Sequence, residues 1–135
     1  FMTRGEAFAT ADDVHAVAAI CSDSPDRWFW IPTKAWRDSR LRILIEREIV
    51  TLPNVAVLAS TDPDTTTRQW AMLKRRGWST MFYGDNTQTT TPNGDRSFVC
   101  PKTYKGIKGH CEDCKAGCFA PITLQRRVDV ILKQH

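Results

Sequence analysis

The chain has 135 residues, 41% of them hydrophobic and 25% charged, with a formal net charge of +4. This composition predicts one globular domain over residues 1–135, and no apolar run reaches the roughly 18 residues that suggest a membrane-spanning helix. The first residues lack the basic and then apolar order of a signal peptide, so a cytoplasmic protein is expected. In a reducing cytoplasm, clustered cysteines are more often metal ligands than disulfides.

Residues 1–86 are predicted to form the core, because helical and strand-like periodicities alternate along them. A short strand near residues 2–8 precedes a helix over 11–22 with Thr10 as its N-cap. The following elements are predicted in the order strand 28–31, helix 36–50, strand 55–59, helix 67–76 and strand 78–83. Pro32 is expected to end the second strand, and Gly77 to end the third helix as its C′ residue.

This β-α-β-α-β-α-β order predicts an α/β fold with a small, mainly parallel sheet. Each connection between strands is long enough to hold a helix, which is what parallel pairing with right-handed crossovers requires. The sequence leaves open whether the sheet is an open layer or half of a (β/α)8 barrel.

The composition changes after Gly84. Residues 87–98 are predicted to form a polar loop, residues 99–121 a four-cysteine module, and residues 122–135 a terminal element. Alternation of Val128, Val130 and Leu132 with polar residues favours a terminal strand, and a helix over 122–133 is the alternative.

The four-cysteine module carries the most specific motif in the chain. Its cysteines follow the pattern C-x10-C-x2-C-x3-C and are Cys100, Cys111, Cys114 and Cys118. Three close thiols with one remote thiol and a Cys-Pro step favour a [4Fe–4S] cluster, and Zn²⁺ remains the alternative. Four thiolate ligands leave no open coordination site, which favours electron transfer or a structural role over catalysis at the metal. The fifth cysteine, Cys21, is expected to be a small buried side chain.

Basic residues are unevenly distributed. The module itself carries four lysines, which are Lys102, Lys105, Lys108 and Lys115. Two more clusters lie within residues 34–47 and 74–76. Such clusters suggest a polyanion such as nucleic acid, so a zinc-stabilised nucleic-acid-binding module is an alternative function. The competing interpretation is a solvated helix face, or basic residues matched to a helix C-terminus.

A third possibility is an enzyme. Glu6, Lys34 and Asp85 would follow strands at the carboxyl edge of the sheet, where sites of α/β proteins gather, and Thr33 and Ser60 would lie on the same edge. No hydrolytic constellation is recognisable, and no catalytic residue or substrate is assigned. Exposed sheet edges and five tryptophans also predict self-association.

Several segments in this order resemble the gene-product-88 family of phage and plasmid proteins. They are Gly5-Glu6, residues 29–34, Leu52-Pro53-Asn54-Val55 with Ser60, and Val99-Cys100-Pro101 leading to the cysteine trio. The resemblance implies a mobile-element origin, a metal-bound C-terminal part and a relationship to partial radical-enzyme-type α/β barrels. Glu6 stands where that family has aspartate. The resulting hypothesis is a phage-type iron–sulfur protein of accessory function in the host-cell cytoplasm.

Overall fold

The computed structural model describes residues 6–84, 87, 89–92, 94, 97–105, 114, 118 and 127–133. Its elements alternate between helices and strands, as the sequence predicts. The helices are α1 (Ala11–Ser22), α2 (Ser39–Glu48), α3 (Thr67–Arg75) and α4 (Pro101–Lys105), with a 3₁₀ turn over Ala35–Arg37. The strands are β1 (Phe29–Thr33), β2 (Val55–Thr61), β3 (Ser79–Gly84), β4 (Phe98–Val99) and β5 (Asp129–Lys133).

The five strands form one sheet in the order β1-β2-β3-β5-β4, and every pair in it is parallel. The prediction of an α/β fold with β1, β2 and β3 adjacent and parallel is therefore confirmed. Strand β2 is buried along its whole length, which explains its continuous apolar sequence. In the described part of the chain β1 and β4 are the two edge strands.

Local signals in the sequence fix the ends of the helices. Thr10 caps α1 in a capping box with Asp13, and Thr66 caps α3 in the same way with Gln69. Gly77, after the end of α3, has φ +78°, a conformation that glycine adopts at little cost. The predicted N-cap and C′ residues are both confirmed.

The main hydrophobic core lies between the sheet and the helices α1 to α3. Strands β1 and β2 contribute alternate residues to it, and the helices contribute their apolar faces. Its largest buried side chains include Trp36 and Trp78, which are 0% and 1% exposed. We call this side of the sheet the helix face.

The opposite side of the sheet has a second apolar cluster. We call it the cysteine face, and it is formed by Ala56, Leu58, Met81 and Val130. The strand order explains why a separate layer forms here. The steps from β1 to β2 to β3 run in one direction across the sheet, whereas the step from β4 to β5 runs back. Right-handed crossovers in opposite directions lie on opposite faces, which agrees with the packing of Cys100 and Cys118, two described residues after β4, against the cysteine face.

Two of the predicted boundaries are wrong. Pro32 lies inside β1 and does not end it, because β1 is an edge strand and an edge tolerates the missing N–H group. The helix predicted over 36–50 is a 3₁₀ turn followed by α2, since Asp38 accepts hydrogen bonds from the backbone N–H groups of Arg40 and Leu41 and so caps a new helix.

The strands predicted at the two ends of the chain have different outcomes. Residues 6–10 contain no strand, and residues 1–5 of the predicted first strand lie outside the described residues. The terminal strand is confirmed as β5, which takes an inner position between β3 and β4. Sequence reasoning missed the short elements β4 and α4 on either side of Cys100. No helix in the described residues has the length and apolar character needed to cross a membrane.

Candidate metal centre

Cys100 is positioned by the sheet itself. It directly follows β4, and its backbone N–H donates to the carbonyl of Ile131 at 2.9 Å, which continues the pairing of β4 with β5 beyond Val99. Pro101 then begins α4, where the missing N–H of proline costs nothing. The Cys-Pro step therefore joins a strand end to a helix start and fixes the first thiol beside the sheet.

Short hydrogen bonds hold α4 near the same place. Thr103 donates its hydroxyl to the carbonyl of Cys100 at 3.3 Å and accepts the backbone N–H of Lys133 at 3.2 Å. One threonine thus connects the start of the cysteine module to the end of β5. This contact was not foreseen from the sequence, because it depends on β5 being the neighbour of β4.

The other predicted ligands lie further along the β4–β5 connection. Cys118 is half-buried, and like Cys100 it packs against the cysteine face. Cys114 is exposed, and Cys111 lies outside the described residues. Cys100 and Cys118 are eighteen positions apart in the sequence, yet both contact the same apolar cluster.

Aromatic and aliphatic side chains surround this location. Trp30, Tyr83 and Leu132 also pack, partly buried, against the cysteine face. Burial raises the pKa of the Tyr83 phenol, so this hydroxyl stays protonated at neutral pH. An apolar floor with aromatic flanks limits the access of water to the two thiols.

Among the described residues no three His, Cys, Asp or Glu side chains are grouped closely enough to hold a metal ion, and the fourth predicted ligand, Cys111, lies outside them. The described cysteines of the module, which are Cys100, Cys114 and Cys118, are not joined to one another in disulfides. The remaining described cysteine, Cys21, is buried on the helix face, where burial raises its thiol pKa. The sheet separates Cys21 from Cys100 and Cys118, which agrees with its expected role as a small core side chain.

Two of the four lysines of the four-cysteine module lie among the described residues. Lys102 is exposed on α4, and Lys105 is the last residue of that helix. Lys108 and Lys115 lie outside the described residues, as does Asp85 from the predicted edge site.

The carboxyl edge of the sheet does bring Glu6, Thr33 and Lys34 together. The Glu6 carboxylate accepts the Thr33 hydroxyl, the backbone N–H of Lys34 at 2.6 Å and that of Phe8 at 3.2 Å. Phe8 is 1% exposed and packs in the main core. Glu6 therefore anchors the N-terminal segment to the end of β1, which is a structural task. Ser60 is buried on β2, and its carbonyl accepts the indole N–H of Trp36 at 2.9 Å.

Sequence reasoning missed a second set of charged residues at this edge. Asp62 accepts a hydrogen bond from Arg37 at 2.8 Å and one from the Thr65 hydroxyl at 3.1 Å, and Lys34 Nζ lies 3.6 Å from its other oxygen. Burial acts to raise the pKa of Asp62, but the charge of Arg37 and these hydrogen bonds outweigh it and lower the pKa. The available signal was the position of Asp62 directly after the buried strand β2.

Comparisons with known proteins add no constraint to this geometry: no family model, curated protein or solved structure matches the chain.

Proposed function

We propose that the protein is a phage-type iron–sulfur protein in which Cys100, Cys111, Cys114 and Cys118 hold a [4Fe–4S] cluster. The observation that carries this proposal is the convergence of Cys100 and Cys118 on the cysteine face. Although they are far apart in the connection between β4 and β5, both thiols pack against the same apolar cluster. The C-x2-C-x3-C spacing supplies two further thiols within the same connection.

The chemistry of the location supports a cluster. Cubane clusters are held by four thiolates, and their potentials and lifetimes depend on solvent exposure and on hydrogen bonds to sulfur. The cysteine face provides the dry side of such a site, and the N-terminus of α4 lies immediately after the first ligand. Zn²⁺ is the competing occupant, since thiolates bind it equally well.

Four protein ligands saturate such a cluster, so its role is electron transfer or structural support and not substrate activation. This is an accessory function, in line with the resemblance to the gene-product-88 family and the mobile-element origin that it implies. A thiolate-bound cluster requires a reducing compartment, so the protein acts in the cytoplasm of the host cell.

The test is the metal content and visible spectrum of the protein purified without oxygen. We expect a brown protein with about four irons and matching sulfide per chain. Cys118→Ser should remove most of the iron, whereas Cys21→Ala should leave the iron content unchanged. A colourless protein with stoichiometric zinc from iron-replete cells would overturn the proposal.

A matched pair of core variants tests where the cluster lies. Leu58 is 1% exposed on the cysteine face, and Leu73 is 0% exposed on the helix face. Both Leu→Ala changes should destabilise the fold by about 2–5 kcal/mol. Only Leu58→Ala should also speed the loss of the visible band in air, because it opens a gap beneath Cys100 and Cys118. Equal rates of loss would mean that the cluster does not rest on this face.

A further inference from the structure

The positive charge of this protein is concentrated on two neighbouring helices. Helix α2 contains three arginines and two glutamates, and α3 contains two arginines, one lysine and no acidic residue. The two helices together therefore carry a net charge of +4. The whole chain also has a net charge of +4, so the other residues balance one another.

Hydrogen bonds at both ends hold α2 and α3 side by side. Before the helices begin, Arg37 donates to Asp62 and to Thr65, at 2.8 and 3.1 Å. Where they end, Arg76 forms a two-pronged ion pair with Glu46, with Nε 2.7 Å from Oε1. The helices thus run in the same direction on the helix face, and side-chain contacts connect them at both ends.

Each helix exposes two arginines that are seven residues apart. On α2 they are Arg40 and Arg47, and on α3 they are Arg68 and Arg75, and all four are exposed. Residues seven apart are separated by almost two full turns, so they share one side of a helix at a spacing of about 10 Å. We call these four residues the arginine surface.

The fold itself makes little use of these side chains. Within the described residues Arg40, Arg68 and Arg75 have no ion pair, and Arg47 pairs only with its half-buried neighbour in the sequence, Glu48, at 2.7 Å. Arg40 and Arg68 also lie in the first turns of their helices, where the helix dipole disfavours positive charge. Favourable interaction with a helix C-terminus therefore explains Arg47 and Arg75, which lie in the last turns, but not Arg40 and Arg68.

We propose that the arginine surface binds the phosphate backbone of nucleic acid. Guanidinium groups pair with phosphate oxygens in a planar, two-pronged geometry, and four of them on one rigid layer form a pre-arranged phosphate-binding surface. An anionic membrane fits less well. The apolar sides of α2 and α3 are packed in the core through residues such as Ile45 and Leu73, and the single exposed isoleucine of α2, Ile43, does not form an apolar face that could insert into lipid. Contacts to phosphate alone predict binding without sequence preference.

The test is fluorescence anisotropy of the anaerobically purified protein with a labelled DNA duplex of mixed sequence, at several salt concentrations. Four phosphate contacts predict a slope of log affinity against log salt of about −3.6. Removing one pair, with Arg68→Gln and Arg75→Gln, should reduce the magnitude of the slope by about 1.8. The Arg40→Gln and Arg47→Gln pair should do the same, and lysine at all four positions should largely keep the slope.

Lys133→Gln is the matched control. It removes one positive charge from the exposed last residue of β5, a strand that neither α2 nor α3 precedes or follows directly in the chain. We expect it to change the slope by less than either arginine pair. Unchanged affinity in the two arginine variants would overturn the proposal, as would a larger loss with Lys133→Gln. Binding to phosphatidylserine vesicles but not to the duplex would assign the surface to a membrane and also overturn it.

Discussion

Replacing Asp129 with asparagine should destabilise the protein more than a typical surface substitution. Asp129 begins β5 and is paired in register with Thr80 of β3, whose hydroxyl donates to its carboxylate at 2.6 Å. The other carboxylate oxygen lies 2.7 Å from Arg127 Nη2. The side chains of Asp129 and Arg127 are only 7% and 20% exposed. The substitution removes the charge and keeps the shape of the side chain.

The expected loss of stability depends on which contacts Arg127 keeps after the substitution. Removing one partner of a fully buried ion pair costs about 3–5 kcal/mol, because the other charge stays in a poorly solvated place. Arg127 retains a hydrogen bond from its Nε to the carbonyl of Trp78 at 2.9 Å, and it is partly exposed. Asparagine can still accept the Thr80 hydroxyl. We therefore expect a loss of about 2–3 kcal/mol in the free energy of unfolding.

The assay is urea unfolding followed by tryptophan fluorescence, with Arg127→Met and the double variant completing the cycle. The double variant should lose less stability than the sum of the single variants, since neither charge is then left alone. The slope of free energy against urea should not change. A loss below about 1 kcal/mol for Asp129→Asn would refute the reasoning, because it would mean that the pair behaves like one on the surface.

Three further substitutions have expected effects that can be measured on the purified protein. Gly77→Ala should cost about 1 kcal/mol through backbone strain alone, because φ is +78° and no atom lies within 4 Å of the added Cβ; a thermal melt measures it. Burial opposes ionisation of Glu46, but hydrogen bonds from Arg76 and Trp78 outweigh it and lower the pKa of the carboxyl. Its contribution is thus present above the usual glutamate pKa and lost as the pH falls through the lowered value, so Glu46→Gln should flatten the acid side of the stability profile. Cys21→Ala should change neither the visible spectrum nor the melting of the metal site, and a loss of colour would place Cys21 among the ligands.

The core of the fold is predictable from the sequence because its signals are local. Thr10, Thr66 and Gly77 mark helix ends through contacts within a few residues, and the apolar run 55–59 indicates a strand covered on both faces, observed as Val55–Thr61. Local chemistry misleads at Pro32, because whether proline ends a strand depends on its place in the sheet. Local signals also do not predict that β5 takes an inner position in the sheet, since no residue of β5 specifies pairing with a strand almost 50 positions earlier in the chain.

The candidate site shows the same limit. The cysteine spacing predicts a metal module, but the apolar cluster of the cysteine face depends on strand order and not on the spacing of the cysteines. Thr33 and Lys34 lie at the end of β1 as the sequence predicts, and Glu6 contacts both through its carboxylate although the described residues around Glu6 form no strand. Arg37 and Asp62 were missed, because their pairing joins two connections that are distant in sequence.

Formation of the metal centre and completion of the sheet should be coupled. The proposed ligands Cys100 and Cys118 both lie in the connection between β4 and β5, so the proposed cluster would close a loop of about eighteen residues and lower the entropy cost of ordering that connection. Strand β5 also carries the carbonyl of Ile131 that holds the backbone of Cys100. Removing the metal should therefore loosen β5 before it affects the pairing of β1 with β2. Hydrogen exchange should accelerate at Val130 and Ile131 in the metal-free protein and change little at Val57. Uniform acceleration across the sheet would show that the centre stabilises the whole domain and not this connection.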